Sequence, residues 1–143
     1  MTQKEFDLKM QELNLDHKKK MNEINRRKSE SKKRKQDALT EASDAFHKEK
    51  RSRLEKVRAL RVEKMKLFMG DPKRESIEAE AFALECEIGV MKTEYERGKQ
   101  EIYNAANDER RNLDQEAREL SEQTEQTRYE IMREFMNGTE LAS

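Results

Sequence analysis

Large apolar residues recur at intervals of three and four along most of the chain, and charged residues fill the positions between them. This spacing places the apolar side chains on one face of an α-helix and is the pattern of a coiled-coil seam. In the second half of the chain the seam consists of Ile77, Ala81, Leu84, Ile88, Met91, Tyr95 and Ile102. Beyond Ile102 the apolar stripe slips out of this spacing, which indicates weaker supercoiling there. The pattern predicts long amphipathic helices.

One short stretch interrupts this pattern near the middle of the chain. Residues 68–75 read FMGDPKRE and contain the single Pro of the sequence. Gly70 suits the left-handed conformation that follows a helix, Asp71 is a good N-cap, and Pro72 fits the first position of a new helix. The stretch therefore predicts a helix end, a tight turn and a helix start.

These signals predict an all-α fold, a long antiparallel two-helix coiled-coil hairpin formed as one extended unit by residues 1–143. The predicted parts are helix 1 over about 3–69, a turn at 70–72, helix 2 over about 72–137, and a frayed tail at 138–143. At 1.5 Å per residue, two helices of about 66 residues would each extend roughly 100 Å.

A short turn makes the two helices antiparallel neighbours, and a pairing in which residue numbers sum to about 141 aligns many apolar positions. This register places Phe6 opposite Phe135 and Phe46 opposite Tyr95. Charge favours the same arrangement, because the first 70 residues have a net charge of +9 and the remainder a net charge of −9. We expect charge to select the pairing and the apolar seam to supply most of the stability. The same complementarity would suit a helix exchange between two chains.

Composition narrows the class of protein. With 33% hydrophobic residues, 43% charged residues and no Trp, the chain has poor material for a globular core. Cys86 is alone, so it can form neither an intramolecular disulfide nor a multi-cysteine zinc site, and it indicates a reducing compartment. We expect a cytoplasmic protein, or a component of a larger assembly or virion, with neither a secretory signal nor a transmembrane segment.

A second apolar face is predicted on both sides of the turn. Ten of the fifteen residues from Ile77 to Met91 are apolar, which is more than one seam requires. A helix that is apolar on two faces needs a second neighbour, and we expect either a four-helix bundle of two hairpins or a helix of another protein. An alternative is a wide two-helix seam in which methionines cover irregular gaps. We expect Cys86 to be a small buried hydrophobe. The candidate interface residues are Leu54, Val62, Met65, Met69, Ala79, Phe82, Ala83, Cys86 and Val90.

A basic tract, RRKSESKKRK, lies at Arg26–Lys35 and is expected to be offset only slightly by the partner helix. No apolar residue lies between Ile24 and Ala38, so this is the predicted loosest part of the seam. The tract is either a solvated face or a site for nucleic acid, an anionic lipid surface or an acidic protein. The candidate anion-binding residues are Lys18, Lys19, Lys20, Arg26, Arg27, Lys28, Lys32, Lys33, Arg34 and Lys35.

The sequence offers little for catalysis or metal binding. His17 and His47 are 30 residues apart and cannot share a site on one helix. Asp44 and His47 have the spacing of a bundle metal site, and Glu94 falls near them, but a di-iron centre needs about four carboxylates and two such histidines. The chain also has no phosphate-binding glycine loop or nucleophile elbow. We therefore expect no cofactor, no metal and no enzymatic activity.

The expected function is that of a structural or assembly protein, such as a scaffold, adaptor or stalk, whose partners are its own copies or helices of another protein. The alternative is a binder of nucleic acid or of an anionic surface through the basic tract. In length, charge and predicted shape the chain resembles the helical-hairpin stalks of rotary and secretion ATPases and small, charged phage scaffolding proteins. No residue motif extends this resemblance to membership of a family.

Overall fold

The computed structural model describes residues 1–142, and describes their side chains as far as residue 138. Its two helices are α1, Gln3–Met65, and α2, Pro72–Ala142. They pack against each other, and the described part of the chain contains no strand, so the predicted all-α helical hairpin is confirmed.

The chain comprises two compact units, and each contains a segment of both helices. The first, here called the terminal unit, consists of Met1–Lys33 and Ala106–Ser143. The second, here called the turn unit, is Arg34–Ala105 and includes the connection between the helices. The boundary between them on α1 falls inside the predicted basic tract.

The connection has the predicted chemistry. Gly70 adopts a φ of 96°, which side chains with a Cβ rarely adopt and glycine adopts freely. The carboxylate of Asp71 accepts a hydrogen bond of 2.9 Å from the N–H of Lys73, and Pro72 is the first residue of α2. Asp71 is therefore the N-cap of α2, as its sequence position predicts.

The end of α1 differs from the prediction, because the helix ends at Met65, four residues early. The N–H groups of Lys66 and Leu67 donate to carbonyls three residues earlier, at 3.1 Å each, which tightens the last turn. The guanidinium of Arg74 then donates to the carbonyls of Lys64 and Leu67, at 3.2 and 2.9 Å. A side chain of α2 thus caps the C-terminal end of α1, where cations are favoured by the helix dipole.

The end of α2 also differs, since the helix continues to Ala142 and does not stop at Asn137 and Gly138. Among the glycines, Gly70 is the one with a positive φ, so Gly138 does not take the conformation of a helix-terminating glycine. A Cβ built on Gly138 would lie 3.3 Å from the backbone nitrogen of Met1. The missing side chain at Gly138 therefore allows the start of the chain to approach α2 closely.

The turn unit has an apolar seam. Val57 and Ala81 are buried between the helices, and Ala81 has no exposed surface. Farther from the turn, the rings of Phe46 and Tyr95 stack with centroids 4.6 Å apart and planes at 2°. This contact confirms the predicted register in the turn unit.

The terminal unit has the same register but a mixed seam. The rings of Phe6 and Phe135 stack at 4.5 Å, as the register predicts. Ile24 and Leu113 are the buried apolar residues of this unit. Two polar residues are buried as well.

Ser31 and Thr124 are the buried polar residues of the described part of the chain, and both belong to the terminal unit. The hydroxyl of Thr124 lies 3.1 Å from Nδ1 of His17, within hydrogen-bond distance. His17 and Thr124 form a polar layer between the two helices, and the pairing register places them opposite each other. Satisfied polar layers of this kind fix the register of paired helices at some cost in stability.

Candidate interaction surfaces

The predicted second apolar face is largely exposed to solvent in the turn unit. Leu54 is half-buried, and Ala79, Ala83 and Cys86 are exposed. The larger side chains have exposed fractions of 53% at Val62, 79% at Met65, 87% at Met69, 64% at Phe82 and 59% at Val90.

The prediction that Cys86 is a small buried hydrophobe is wrong for the single chain, because the thiol is exposed. Cys86 lies five residues after Ala81, which is fully buried against α1. Five residues rotate a helical position by about 140° at 3.6 residues per turn, which directs Cys86 away from α1. Ala79, Ala83 and Val90 share this direction, and we call these four residues the outer face of α2.

A different surface lies on the flank of the turn unit, where α1 and α2 meet. On α1 it contains Leu54 and Met65, which are eleven residues apart and so lie on one side of the helix. On α2 it contains Phe82, four residues after Glu78 and three before Glu85. We call Leu54, Met65 and Phe82, with the charged side chains between them, the apolar flank.

Ion pairs between the helices border the apolar flank. Arg61 of α1 forms an ion pair with Glu85 and another, at 3.3 Å, with Glu78. Lys64 donates a hydrogen bond of 3.1 Å to Glu78. The hydrogen bonds from Lys64 and Arg61 hold the pKa of the Glu78 carboxyl below its usual value. Because Phe82 lies between the two carboxylates, it is on the same side of the hairpin as Arg61.

Phe68 is a surface residue that the apolar pattern of the sequence did not predict. Phe68 is 88% exposed beside Met69 in the connection between the helices. The backbone carbonyl of Phe68 accepts a hydrogen bond of 3.0 Å from the N–H of Asp71. The signal in the sequence is a pair of large apolar residues directly before the glycine of a turn, where no seam position is available for them.

A surface concavity of about 820 Å³ adjoins the turn on the side of Phe82. Its apolar lining comes from Met69, Pro72, Ala79 and Phe82. Charged side chains of both signs also line it, namely Lys64, Asp71, Arg74, Glu75 and Glu78. Mixed charge around apolar residues suits contact with a protein surface better than contact with a polyanion.

The basic tract is offset by acidic residues more than the sequence analysis predicts. Arg27 forms an ion pair of 2.8 Å with Glu116. Lys28 forms one of 2.6 Å with Asp114, and its hydrogen bond lowers the pKa of the Asp114 carboxyl. The prediction that the partner helix offsets little of the tract is therefore wrong at these two positions. The pairing register accounts for the contacts, since it brings residues 114–116 of α2 beside them.

Other basic side chains are engaged on their own helix or unit. Arg26 forms ion pairs with Glu23 and Glu30, and hydrogen bonding to Glu23 raises its pKa further above the usual value. Lys20 lies 3.0 Å from Asp16, and the Lys35 ammonium lies 5.2 Å from the ring centroid of Tyr103. Arg34 also has an interaction partner. Among the candidate anion-binding residues, those that are exposed and form no ion pair with a described side chain are Lys18, Lys19, Lys32 and Lys33.

The terminal unit also has a concavity of about 350 Å³ beside the basic tract. Lys20 and Arg27 line it, and so do Glu23, Glu116 and Glu119. Three carboxylates beside two cations give this concavity no preference for an anion.

The spacing of Asp44 and His47 is not extended to a metal-binding group among the described residues. Between residues 1 and 138, no group of three His, Cys, Asp or Glu side chains is placed to hold a metal ion. The ring of His47 instead lies 5.2 Å from Phe46 and 6.4 Å from Tyr95, at the edge of the aromatic stack. In the described part of the chain, neither helix contains a segment apolar enough to cross a membrane.

Comparison with known proteins gives no relative. No protein-family model matches the sequence. No curated protein and no solved structure matches it either. The functional conclusions below therefore depend on the residues of this chain alone.

Proposed function

We propose that this protein is a structural or assembly component without enzymatic activity, a scaffold, adaptor or stalk, whose turn unit binds helices of its own copies or of another protein. One observation carries this proposal. Six large apolar side chains between residues 62 and 90 are each more than half exposed, although the helices already bury a seam between them.

The cost of leaving these side chains in water supports binding. Burying one Val, Leu, Phe or Met side chain contributes about 1.5–3 kcal/mol relative to exposure. Single exposed apolar residues are ordinary, but a cluster near one turn is typical of an interaction site. A second layer of helices would cover this cluster in the way that the seam covers Val57 and Ala81.

The charged groups favour a structural role over acid–base catalysis. The carboxyl groups with lowered pKa values, at Glu23, Glu78 and Asp114, are hydrogen-bonded to Lys or Arg side chains at the surface. Such shifts keep the carboxylates ionised and paired. General acids and bases instead need pKa values tuned toward neutrality in a cleft. The exposed thiol of Cys86 suits a reducing compartment, and we place the protein in the cytoplasm or in a larger assembly.

A photo-crosslinking amino acid at position 82 tests this proposal in cells that express the protein. We expect one dominant adduct of discrete mass, either with a second copy or with one other protein. The matched control carries the same amino acid at position 15, since Leu15 is equally exposed but lies in the terminal unit. If position 82 yields no adduct beyond that of position 15, the assembly role of the turn unit is wrong.

A second candidate is binding of a polyanion through Lys18, Lys19, Lys32 and Lys33, and their lack of ion-pair partners favours it. Four phosphate contacts would weaken binding to duplex DNA roughly 100-fold between 50 and 200 mM salt, from a slope of about −0.9 per contact. Filter binding with duplex DNA, single-stranded RNA and anionic vesicles tests this function. Retention that disappears when all four lysines are changed to Gln would establish it, and no retention at 50 mM salt would remove it.

A further inference from the structure

The apolar flank has the composition and the charges to bind a second copy of this chain. We infer that two turn units associate through their apolar flanks, with both turns at the same end and α1 of each copy against α2 of the other. This inference rests on the proposed assembly function and names its partner, its surface and its orientation.

Both helices contribute to the flank on one side of the hairpin. On α1, Leu54, Arg58, Arg61 and Met65 follow steps of four, three and four, which align them along the helix. On α2, Phe82 lies between the two glutamates that form ion pairs with Arg61. These ion pairs show that the two rows face the same side. Arg61 is neutralised within its own chain, so covering the flank buries no unpaired charge at that position.

The opposite net charges of the two helical segments favour a second copy of this chain as the partner, and they favour one orientation of the two copies. Within the turn unit, residues 34–70 contain eleven Lys and Arg and six Asp and Glu, while residues 71–105 contain five and nine. The two segments therefore have net charges of +5 and −4. A two-fold axis parallel to the helices places the basic segment of one copy against the acidic segment of the other. A two-fold axis perpendicular to the helices would place like-charged segments together.

Arg58 supports this orientation in detail. It is exposed on the apolar flank and forms no ion pair with any described side chain. In the pairing register, Arg58 lies at the same height along the hairpin as residue 83 of α2. A two-fold axis parallel to the helices preserves that height, so Arg58 faces Phe82 and Glu85 of the second copy. A guanidinium there can stack on the ring and interact with the carboxylate.

The outer face of α2 is a weaker candidate for self-association. Its side chains are small apart from Val90, and Glu80, Glu87 and Glu94 run along one border of it. Contact between the outer faces would place α2 of one copy against α2 of the other, and residues 71–105 carry a net charge of −4 in each copy, which is unfavourable. The apolar flank carries larger side chains and no such repulsion.

Sedimentation equilibrium on the full chain tests the inference by mass. We expect a reversible dimer of twice the 17.1 kDa chain mass. Phe82→Glu and Met65→Glu, each with helicity unchanged by circular dichroism, should weaken the dimer at least 100-fold. Val90→Glu is the matched control on the outer face of α2, and it should change the dissociation constant less than threefold. Arg58→Glu should weaken the dimer about 10-fold, in a salt-dependent way.

A distance measurement tests the orientation. In a Cys86→Ser background, spin labels on Thr40→Cys mark the end of the turn unit that lies away from the turn. With both turns at one end, the two labels lie at the same height along the dimer, within about 30 Å, since each helix is about 10–12 Å wide. In the inverted arrangement the apolar flanks, centred near residue 60, would place the labels about 20 residues from that centre in opposite directions, roughly 60 Å apart at 1.5 Å per residue.

Three results would overturn the inference. A monomer up to millimolar concentration would do so, and the crosslinking at position 82 would then report separately whether another protein is the partner. A dimer lost by Val90→Glu but kept by Phe82→Glu would move the contact to the outer face, where oxidation should join Cys86 to Cys86 of the second copy. Spin-label distances of roughly 60 Å would reject the orientation.

Discussion

In both the turn unit and the terminal unit α1 packs against α2, but the side chains buried between the helices differ. Both pair α1 with α2 in one register, and each has an aromatic stack across the helices. The buried positions of the turn unit are apolar, Val57 and Ala81. The terminal unit buries Ser31 and Thr124 beside its apolar residues. The turn unit therefore depends on apolar burial, and the terminal unit adds polar contacts that specify alignment.

The spacing of the buried positions differs in the same way. On α2 of the turn unit, buried and half-buried positions recur in steps of three and four, at Ile77, Ala81, Leu84, Ile88, Met91 and Tyr95. On α2 of the terminal unit they follow an eleven-residue repeat, at Ala106, Glu109, Leu113, Ala117, Leu120 and Thr124. A seven-residue repeat favours left-handed supercoiling, whereas an eleven-residue repeat gives 3.67 residues per turn and relaxes it.

Both units leave large apolar side chains exposed, and the turn unit exposes them more. Beside its apolar seam, the turn unit has exposed apolar side chains that reach 88% at Phe68. The terminal unit, part of whose seam is polar, reaches 67% at Leu15, and its other exposed large apolar residues are Leu8, Tyr129, Met132 and Met136. The greater exposure in the turn unit is the reason for proposing that assembly involves that unit.

A charge placed in the apolar seam of the turn unit should have the largest effect on stability. Ala81→Asp buries an unpaired carboxylate at a position with no exposed surface, and we expect a loss of about 3–4 kcal/mol in the free energy of unfolding. Ala83→Asp, two residues away on the outer face, is the matched control and should cost less than about 1 kcal/mol. Urea unfolding followed by circular dichroism measures both, and equal losses would contradict the seam assignment.

An apolar deletion in the terminal unit should have the next largest effect. Ile24→Ala removes a buried side chain, and we expect a cost of about 2–4 kcal/mol with faster amide exchange around Leu113. Leu15→Ala removes a side chain that is mostly exposed and should cost less than about 0.5 kcal/mol. If Ile24→Ala lowers the free energy of unfolding no more than Leu15→Ala does, the terminal unit is stabilised by polar contacts alone.

Two glycines of the turn unit should have opposite effects on stability when each is replaced by Ala. Gly70→Ala places a Cβ on a residue with a φ of 96° and should destabilise the protein by about 1–2 kcal/mol. Gly89→Ala lies inside α2, where a Cβ would meet no atom within 4 Å, and should stabilise it by about 0.5–1 kcal/mol. Thermal unfolding of the two variants measures both signs, and a stable Gly70→Ala protein would refute the strained turn.

The smallest expected effect concerns pH in the terminal unit. The pKa of Asp114 is lowered in the folded state by its hydrogen bond from Lys28. The stabilisation from this pair is therefore present above the unfolded pKa of about 3.9 and is lost as pH falls through the lower folded value. Thermal midpoints of Asp114→Asn should lie slightly below those of wild type at pH 6.

The same difference should shrink as pH falls below the unfolded pKa and vanish once the carboxyl is protonated in both states. Asp37→Asn is the control, because Asp37 is exposed and forms no ion pair with a described side chain. Its midpoint should follow wild type at every pH. A difference for Asp114→Asn that grows toward acid pH would have the wrong sign for this ion pair.

Much of the fold could be predicted because its signals are local. The order of Gly70, Asp71 and Pro72 specifies a turn by backbone conformation and capping alone. Apolar spacing and opposite charges then gave the correct register, as the Phe46 and Tyr95 stack shows. A second apolar face beside the turn was also predicted, since a helix with two apolar sides can turn only one of them toward a single neighbour. Within it, the expected burial of Cys86 was wrong.

The early end of α1 and the contacts of the polar layer could not be predicted in this way. The cap on α1 comes from Arg74 on the other helix. The layer joins His17 to Thr124, residues 107 positions apart in the chain. Nothing in the local sequence around Arg74, His17 or Thr124 marks these residues as structural. They acquire a structural role only where the two antiparallel helices meet.

The helices, the turn and the pairing of the basic segment with the acidic segment follow from the amino-acid sequence. Helix propensity and capping depend on residues that are close in the chain, and charge pairing depends on the net charge of whole segments. Which cations form ion pairs, which polar groups are buried and which apolar side chains stay exposed follow from the packing of the two helices. Those outcomes depend on the rotation of each helix about its axis, which is set where the side chains of both helices pack together.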